Sequence, residues 1–311
     1  MKEFDILNFH SYLEENYYNH NKSCIPISHY PFPECVYAFG DLWFYTVGDV
    51  FYVLRILGFQ LGYNGRYLYF IKVNEKICPA VTVGDEIAVV HFEDSKRHIR
   101  MSFINSTGTK LSTCINVPVF SAVQPMIECK SIDCQTAYIK LNSLSNFDVD
   151  SISAAIKDSK YLFVDLRDNM GGSVNDMIKV LSLFSICDNC FKVRDSDGYV
   201  HAINITRSKL DLTKLEAINF QVNELTASSA EMFTISLRAM YPGRIYGERT
   251  TGKMVIQDFV RVSDSIVAVP IYRFVLPIFY GNNLVKIDAY NRIIPDVREC
   301  PLSIASTFSD F

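Results

Sequence analysis

From Thr136 to Gly247 the chain alternates short apolar runs with segments of helical period, and this alternation constrains the fold more than any other feature. Thr136 to Leu141 reads as a strand, Ser151 to Asp158 as a capped helix, and Tyr161 to Leu166 as a buried strand. Val174, Met177, Ile178, Leu181 and Phe184 then recur at helical spacing. Phe191 to Val193 and Tyr199 to Ile205 flank the turn Asp195-Ser196-Asp197-Gly198, which predicts a hairpin. Ile218 to Asn223 alternates apolar and polar residues as a strand does, and Met232, Phe233, Ile235, Leu237 and Met240 give a further helix one apolar face. Arg244 to Gly247 predicts one more strand, with β-rich segments up to Ile287. Strands separated by helices require crossover connections, so this region is expected to be an α/β core.

Upstream the pattern changes. Residues 1–52 are rich in aromatics and broken by Pro26, Pro31 and Pro33, with a helix expected over Asp5 to Tyr18; a small cap with an aromatic core is the expectation. Residues 53–118 read as a compact β-rich module, with strands at Tyr67 to Val73 and Glu86 to His91 around a turn at Cys78 to Asp85. The α/β core then occupies 119–311. A chain of 311 residues, 49% hydrophobic and 21% charged, has the composition of ordinary globular domains.

Several classes of function are argued against. A net charge of −4, with basic residues scattered and the longest cluster only Lys96 to Arg100, gives no electrostatic case for nucleic acid or an anionic membrane. Asp49 and Arg55 interrupt the most hydrophobic region, so no membrane span is expected. The start Met1-Lys2-Glu3-Phe4-Asp5 lacks a basic segment followed by an apolar run, and nine cysteines show no regular disulfide framework; a reduced, cytoplasmic setting is the expectation. Cys187-x-x-Cys190 has no second pair at zinc spacing, and histidines 10, 20, 29, 91, 98 and 201 form no metal motif, so neither a metal nor another cofactor is expected.

Chemistry concentrates at two corners. Ser228 falls between the strand ending at Asn223 and the following helix, where its hydroxyl lies beside unpaired amides and the positive end of a helix dipole. The same serine with Glu231 three residues on fits a capping box, a purely structural role. Gly171 and Gly172 lie in a second strand-to-helix turn, where no Cβ obstructs a ligand; a purely structural turn is the alternative there. No phosphate-loop or dinucleotide fingerprint accompanies them. Asp165 and Arg167 are expected to form an ion pair that holds this turn.

Taken together, Asp165-Leu166-Arg167-Asp168-Asn169-Met170-Gly171-Gly172, Thr226-Ala227-Ser228-x-x-Glu231, Gly247-Glu248-Arg249-Thr250-Thr251-Gly252-Lys253 and Ile293-Ile294-Pro295-Asp296-Val297 resemble, in order, the motifs of the C-terminal processing, or tail-specific, serine peptidases of type S41. The resemblance implies a ClpP/crotonase-like α/β protease core acting as a serine endopeptidase on peptides or unfolded proteins. It makes Ser228 the nucleophile, Lys253 the general base and Gln257 the residue that positions the lysine, with Gly171 or Gly172 and the amide of Ser229 forming the oxyanion hole. A solvent-exposed loop lysine is the alternative for Lys253. Ala230, Arg249 and Thr251 depart from the family's usual residues, which bears on substrate preference. Cys78-Pro79-Ala80-x-x-Val83-Gly84-Asp85-Glu86-Ile87 is similar to the PDZ signature, which implies a peptide-binding nest at Gly58, Phe59, Gln60, Leu61 and Gly62. A PDZ-like module without peptide capture, a catalytically silent peptide-binding protein of the same fold, and a homo-oligomer all stay open at this point.

Overall fold

The computed structural model describes residues 2–4, 12–13, 15, 45–46, 50, 53–54, 57–63, 68–93, 97–117, 126–145, 148–184, 191–205, 215–275, 285–289 and 291–298. Most of the aromatic segment 1–52, the Cys187/Cys190 pair and histidines 10, 20 and 29 lie outside these residues. The chain divides into two units, Met1–Ala122 with Gln257–Ile271 and Val123–Ile256 with Tyr272–Phe311.

In the first unit the strands are β1 (Lys2–Phe4), β2 (Tyr45–Thr46), β3 (Gln60–Tyr63), β4 (Leu68–Lys72), β5 (Glu86–Glu93), β6 (His98–Ile104) and β7 (Lys110–Asn116). β3 to β7 form an antiparallel meander in which each strand pairs with its sequence neighbour, leaving β3 and β7 at the edges. Ile99, Met101 and Phe103 on β6 are fully buried while Arg100 between them is exposed, the period-two pattern of a sheet with one face on a core. That core also takes Phe59, Phe70, Val81 and Ile115. Asp85 explains the Gly-Asp pair before β5: its buried carboxylate accepts the Thr82 amide at 2.9 Å and the Thr82 hydroxyl at 3.0 Å, closing the turn in which Gly84 has φ +96°. Among the described residues from 57 to 117 every regular element is a strand.

The second unit holds β8 (Ile127–Ser131), β9 (Thr136–Leu141), α1 (Val149–Ile156), β10 (Tyr161–Asp165), α2 (Val174–Leu181), β11 (Lys192–Arg194), β12 (Val200–Ala202), β13 (Ala217–Val222), α3 (Ser229–Met240) and β14 (Ile245–Gly247). β15 (Val255–Val262) and β16 (Ser265–Val275) each contribute residues to both units, and β17 (Lys286–Ile287) pairs antiparallel with β18 (Ile293–Ile294). A five-stranded sheet has the order β14-β13-β10-β9-β8; the first four run parallel and β8 is an antiparallel edge. Helices α1, α2 and α3 intervene between successive parallel strands, the crossover pattern expected from the alternation. Leu162 and Val164 on β10, Ile218, Phe220 and Val222 on β13, Met177 and Leu181 on α2, and Phe233 and Leu237 on α3 share one core.

One expectation is corrected. The sequence gives α3 a single apolar face, but the structure buries every residue from Ser229 to Arg238. Two of its buried polar side chains are bonded locally: the Thr234 hydroxyl donates to the Ala230 carbonyl at 2.9 Å, and Arg238 Nη1 donates to the Tyr241 carbonyl at 2.8 Å. No helix among the described residues is long and apolar enough to cross a membrane.

Register places the functional loops. Asp165, the last residue of β10, pairs with Gln221, and Val222, the last of β13, pairs with Gly247, the last of β14. Three neighbouring parallel strands therefore end together, and the segments 166–172, 223–228 and 248–253 leave the same sheet edge. Carboxyl ends of parallel strands are where open α/β sheets place ligand sites, because loops diverge there around exposed backbone amides.

Candidate active site

The loop after β10 is fixed from inside. The fully buried carboxylate of Asp165 accepts Arg167 N at 3.0 Å, Arg167 Nη2 at 2.6 Å and the Tyr138 hydroxyl at 2.9 Å, so the expected Asp165–Arg167 pair forms and Tyr138 completes it. Burial pushes the Tyr138 phenol above its ordinary value and the neighbouring Asp165 charge adds to this; the hydrogen bond that Arg167 donates to Asp165 raises Arg167. Asn169 is fully buried: Nδ2 donates to the Leu141 carbonyl at 2.7 Å and Oδ1 accepts the Gly171 amide at 2.8 Å. Asp168, at φ +65°, and Asn223 exchange two hydrogen bonds of 3.0 and 2.8 Å, and Ala227 N donates to Asn169 O at 2.9 Å. The loops after β10 and β13 are thereby stitched side by side.

Ser228 stands at the resulting corner, half-buried, with φ +57° and ψ −126°. An L-residue with a Cβ pays a steric penalty in this region, so the conformation persists only where surroundings impose it, and such outliers cluster at functional sites. Gly171 is the reason the corner fits: a Cβ there would stand 2.8 Å from Ser228 Cβ, 2.9 Å from Ala227 O and 3.2 Å from Ser229 N. Gly172 is equally constrained on its other side, where a Cβ would meet Leu144 O at 2.4 Å. The Gly171 amide is committed to Asn169, whereas among the described residues no acceptor bonds the amides of Gly172 or Ser229. Ser229 is itself tied to this turn, its Oγ donating to Gly172 O at 3.3 Å. Two free N–H groups beside a half-buried serine are an arrangement that can hold an oxyanion.

The loop after β14 meets the same corner through Glu231, which sequence reading assigns only to a capping box. Its carboxylate is fully buried and accepts four donors: Ser228 N at 2.9 Å and Lys253 N at 2.8 Å on Oε2, Gly252 N at 2.7 Å and the Thr250 hydroxyl on Oε1. Burial pushes this carboxyl up to about 7, against the opposing pull of those donors. One carboxylate thus links the backbone of Ser228 to that of Lys253. Thr251 reinforces the link, donating its amide to Thr226 O at 3.0 Å and its hydroxyl to Glu224 O at 2.7 Å. Thr250 and Asn169 were missed as site residues for the same reason as Glu231. Each is visible in a motif, but what it bonds is decided by chain segments far away in sequence.

Of the other expected residues, Lys253 is half-buried in the loop before β15, and Gln257 lies on β15 within the first unit. In the segment 58–62, Gly58 has φ +87° and Phe59 is buried, its ring 5.9 Å from that of Phe70; Gln60, Leu61 and Gly62 form the edge strand β3. His201 pairs with Asp195 on the β11–β12 hairpin. Among the described residues no cluster of three or more His, Cys, Asp or Glu has the arrangement of a metal site.

The profile of Peptidase family S41 matches residues 135–298, just over half of the chain. A probable CtpA-like serine protease of Staphylococcus epidermidis is 27% identical over 124 residues, covering 39% of this chain and 25% of that protein. A probable CtpA-like serine protease of Staphylococcus aureus is 31% identical over 109 residues, 35% of this chain and 22% of that protein. The match therefore spans about a quarter of the length of these relatives. Among solved structures, the photosystem II D1 C-terminal processing protease aligns with a TM-score of 0.53 at 16% identity, over 94% of this chain and 91% of that one. An S41 protease, described as putative, from Bacteroides fragilis aligns at 0.55 and 14% identity, over 94% and 90%. At such identities these two likenesses speak for a shared fold.

Proposed function

The chain belongs to peptidase family S41, and from that premise we propose that it is a serine endopeptidase that cleaves peptides or unfolded proteins by C-terminal processing. In this reading Ser228 is the nucleophile, Lys253 the general base and Gln257 the residue that orients the lysine. Neutral Lys253 takes the Ser228 proton as Oγ attacks the scissile carbonyl. The oxyanion is received by the amides of Gly172 and Ser229, the two that carry no internal bond. The protonated lysine then gives its proton to the departing amine, leaving an acyl-enzyme. Lys253 next accepts a proton from the attacking water, and collapse of the second oxyanion releases the acid and restores Ser228. A lysine near its free pKa of about 10.4 is charged at neutral pH, so this role calls for desolvation that favours the neutral amine.

The observation that carries this reading is the tie through Glu231 between Ser228, held at positive φ beside two free amides, and Lys253. The rest of the assignment is proposed with it: a ClpP/crotonase-like core over 119–311, a PDZ-like module over 53–118 and a cap over 1–52. The edge strand β3, with its nest at Gly58 to Gly62, would receive an extended peptide by strand addition.

The test is turnover of dye-labelled unfolded casein and labelling by a fluorophosphonate. Wild type is expected to cleave and to be labelled at Ser228, with Ser228→Ala and Lys253→Ala inactive and still folded. Because such residues act as a unit, the double variant is expected to be little worse than either single one. Turnover retained by Ser228→Ala refutes the assignment, and a folded wild type that neither cleaves nor reacts indicates a silent peptide-binding protein. Deleting residues 53–118 is expected to impair cleavage of long substrates more than of short peptides; equal losses refute peptide presentation by that module.

A further inference from the structure

Thr250 has no part in the acyl-transfer steps above, yet it is 1% exposed and both its hydroxyl and its amide are hydrogen-bonded. Its hydroxyl oxygen accepts the Ile293 amide at 2.8 Å, and its own amide donates to Ile293 O at 3.3 Å. An amide N–H can only donate, so Ile293 occupies a lone pair of the hydroxyl, and the hydroxyl proton is directed at Glu231 Oε1. That polarity matters at the carboxylate. Glu231 Oε2 receives the amides of Ser228 and Lys253, and a carboxylate held at one oxygen alone can still rotate about its terminal bond. Thr250 and Gly252, both on Oε1, stop that rotation.

The segment 293–297, which begins with β18, fixes the other side of the same loop. Asp296 Oδ2 accepts Ile245 N at 2.9 Å, Asp296 N donates to Ile245 O at 2.8 Å, and Gly247 N donates to Val297 O at 3.0 Å. The motif Ile293 to Val297 thus lies along the segment from Ile245 to Thr250, and its first amide sets the direction of the Thr250 hydroxyl.

We propose that Thr250 is a positioning residue: oriented by the backbone of Ile293, it locks the Glu231 carboxylate so that the nucleophile corner at Ser228 and the base loop at Lys253 keep a fixed separation. This rests on the catalytic reading of Ser228 and Lys253. It assigns the segment 293–297 a part in turnover although none of its side chains takes a chemical step.

The experiment compares Thr250→Ser, Thr250→Val, Glu231→Gln and the double variant Thr250→Val/Glu231→Gln in the full chain, using cleavage of dye-labelled casein, with Ser228→Ala alongside. Thr250→Ser keeps the hydroxyl and is expected to stay within about threefold of wild-type kcat, whereas Thr250→Val is expected to lose roughly 10- to 100-fold in kcat with KM within about twofold. In the double variant the two losses are expected not to multiply, since both act through one carboxylate. A role confined to folding would lower Tm and leave kcat of the folded fraction unchanged. Wild-type kcat in Thr250→Val, an equal loss in Thr250→Ser, or multiplying losses would overturn the proposal. Should Thr250→Val not fold, Thr250→Cys, with its weaker S–H donor, is expected to lower kcat at constant KM, and an unchanged kcat would overturn it equally. If Ser228→Ala retains turnover, the catalytic reading itself fails; if Ser228→Ala is inactive while Thr250→Val is at full rate, only the role of Thr250 fails.

Discussion

Gly171→Ala tests whether close approach at the corner, more than any side chain of the loop, is what seats the nucleophile. The new Cβ would stand 2.8 Å from Ser228 Cβ, where carbon atoms normally rest about 3.5–4.0 Å apart, so the two segments must separate by about 0.7–1.2 Å. Gly171 also has φ +100°, which costs an alanine roughly 1–2 kcal/mol, and overpacking costs roughly 1–3 kcal/mol more. The sum, about 2–5 kcal/mol, corresponds to a fall in Tm of roughly 4–20 °C for a unit of this size. A displacement near 1 Å at the reacting atom is worth about 100-fold in rate. Gly198→Ala is the control: Gly198 sits at φ +90° in the β11–β12 turn with nothing within 4 Å of its missing Cβ, so it has the backbone cost without the collision. Thermal unfolding and kcat/KM on dye-labelled casein are read for both. Gly198→Ala is expected to lose a few degrees at full activity, and Gly171→Ala to lose both stability and about 100-fold in kcat/KM. If the two variants lose stability equally and Gly171→Ala cleaves at the wild-type rate, the reasoning from close approach is refuted.

Glu231→Gln sets an amide NH2 against donors on one side of the buried site; it is expected to cost about 2–5 kcal/mol and most of the activity, and an unchanged Tm would show that the four-donor arrangement contributes nothing. The same residue gives a pH signature. Its folded pKa, about 7, lies above the unfolded value of 4.5, so the folded state binds the proton more tightly. This stabilisation is fully present below 4.5 and lost as pH rises through about 7, an effect of up to about 3 kcal/mol. Urea unfolding of wild type minus Glu231→Gln across pH 4.5 to 8 reads it, and a flat difference contradicts it. Lys253→Arg is expected to be inactive at every accessible pH because guanidinium does not deprotonate, while wild-type kcat/KM rises with pH along a limb between about 6 and 9; a wild-type profile in the arginine variant would require another base. Asp165→Asn weakens a fork to a partly exposed Arg167, and is expected to cost about 1–3 kcal/mol by chemical denaturation; no loss would mean that solvent already screens the pair.

Much of the core was legible because it depends on local periodicity. The strands at 136–141, 161–165, 217–222 and 245–247 and the three helices between them follow from which residues are apolar and how they are spaced, and parallel pairing follows from the crossovers. The sequence also placed Ser228 at a strand-to-helix corner, since it lies within a few residues of strong boundary signals. It did not determine that α3 is buried on all sides, because periodicity reports one apolar face and says nothing of small polar residues satisfied by the backbone. Nor did it reveal which amide of the glycine turn is free. That depended on Asn169 reaching back to Gly171, while its other end is held by Leu141 on a different strand. Glu231 shows the division most clearly. Three residues from Ser228 it reads as a cap, and the cap is real; its bonds to Thr250, Gly252 and Lys253 exist only because β13 and β14 end side by side and bring two loops to one carboxylate. Local sequence sets which residue caps a helix, but the partners of a buried polar group such as the Glu231 carboxylate are whatever the tertiary fold delivers within hydrogen-bond reach, because burying a carboxyl group without them is costly.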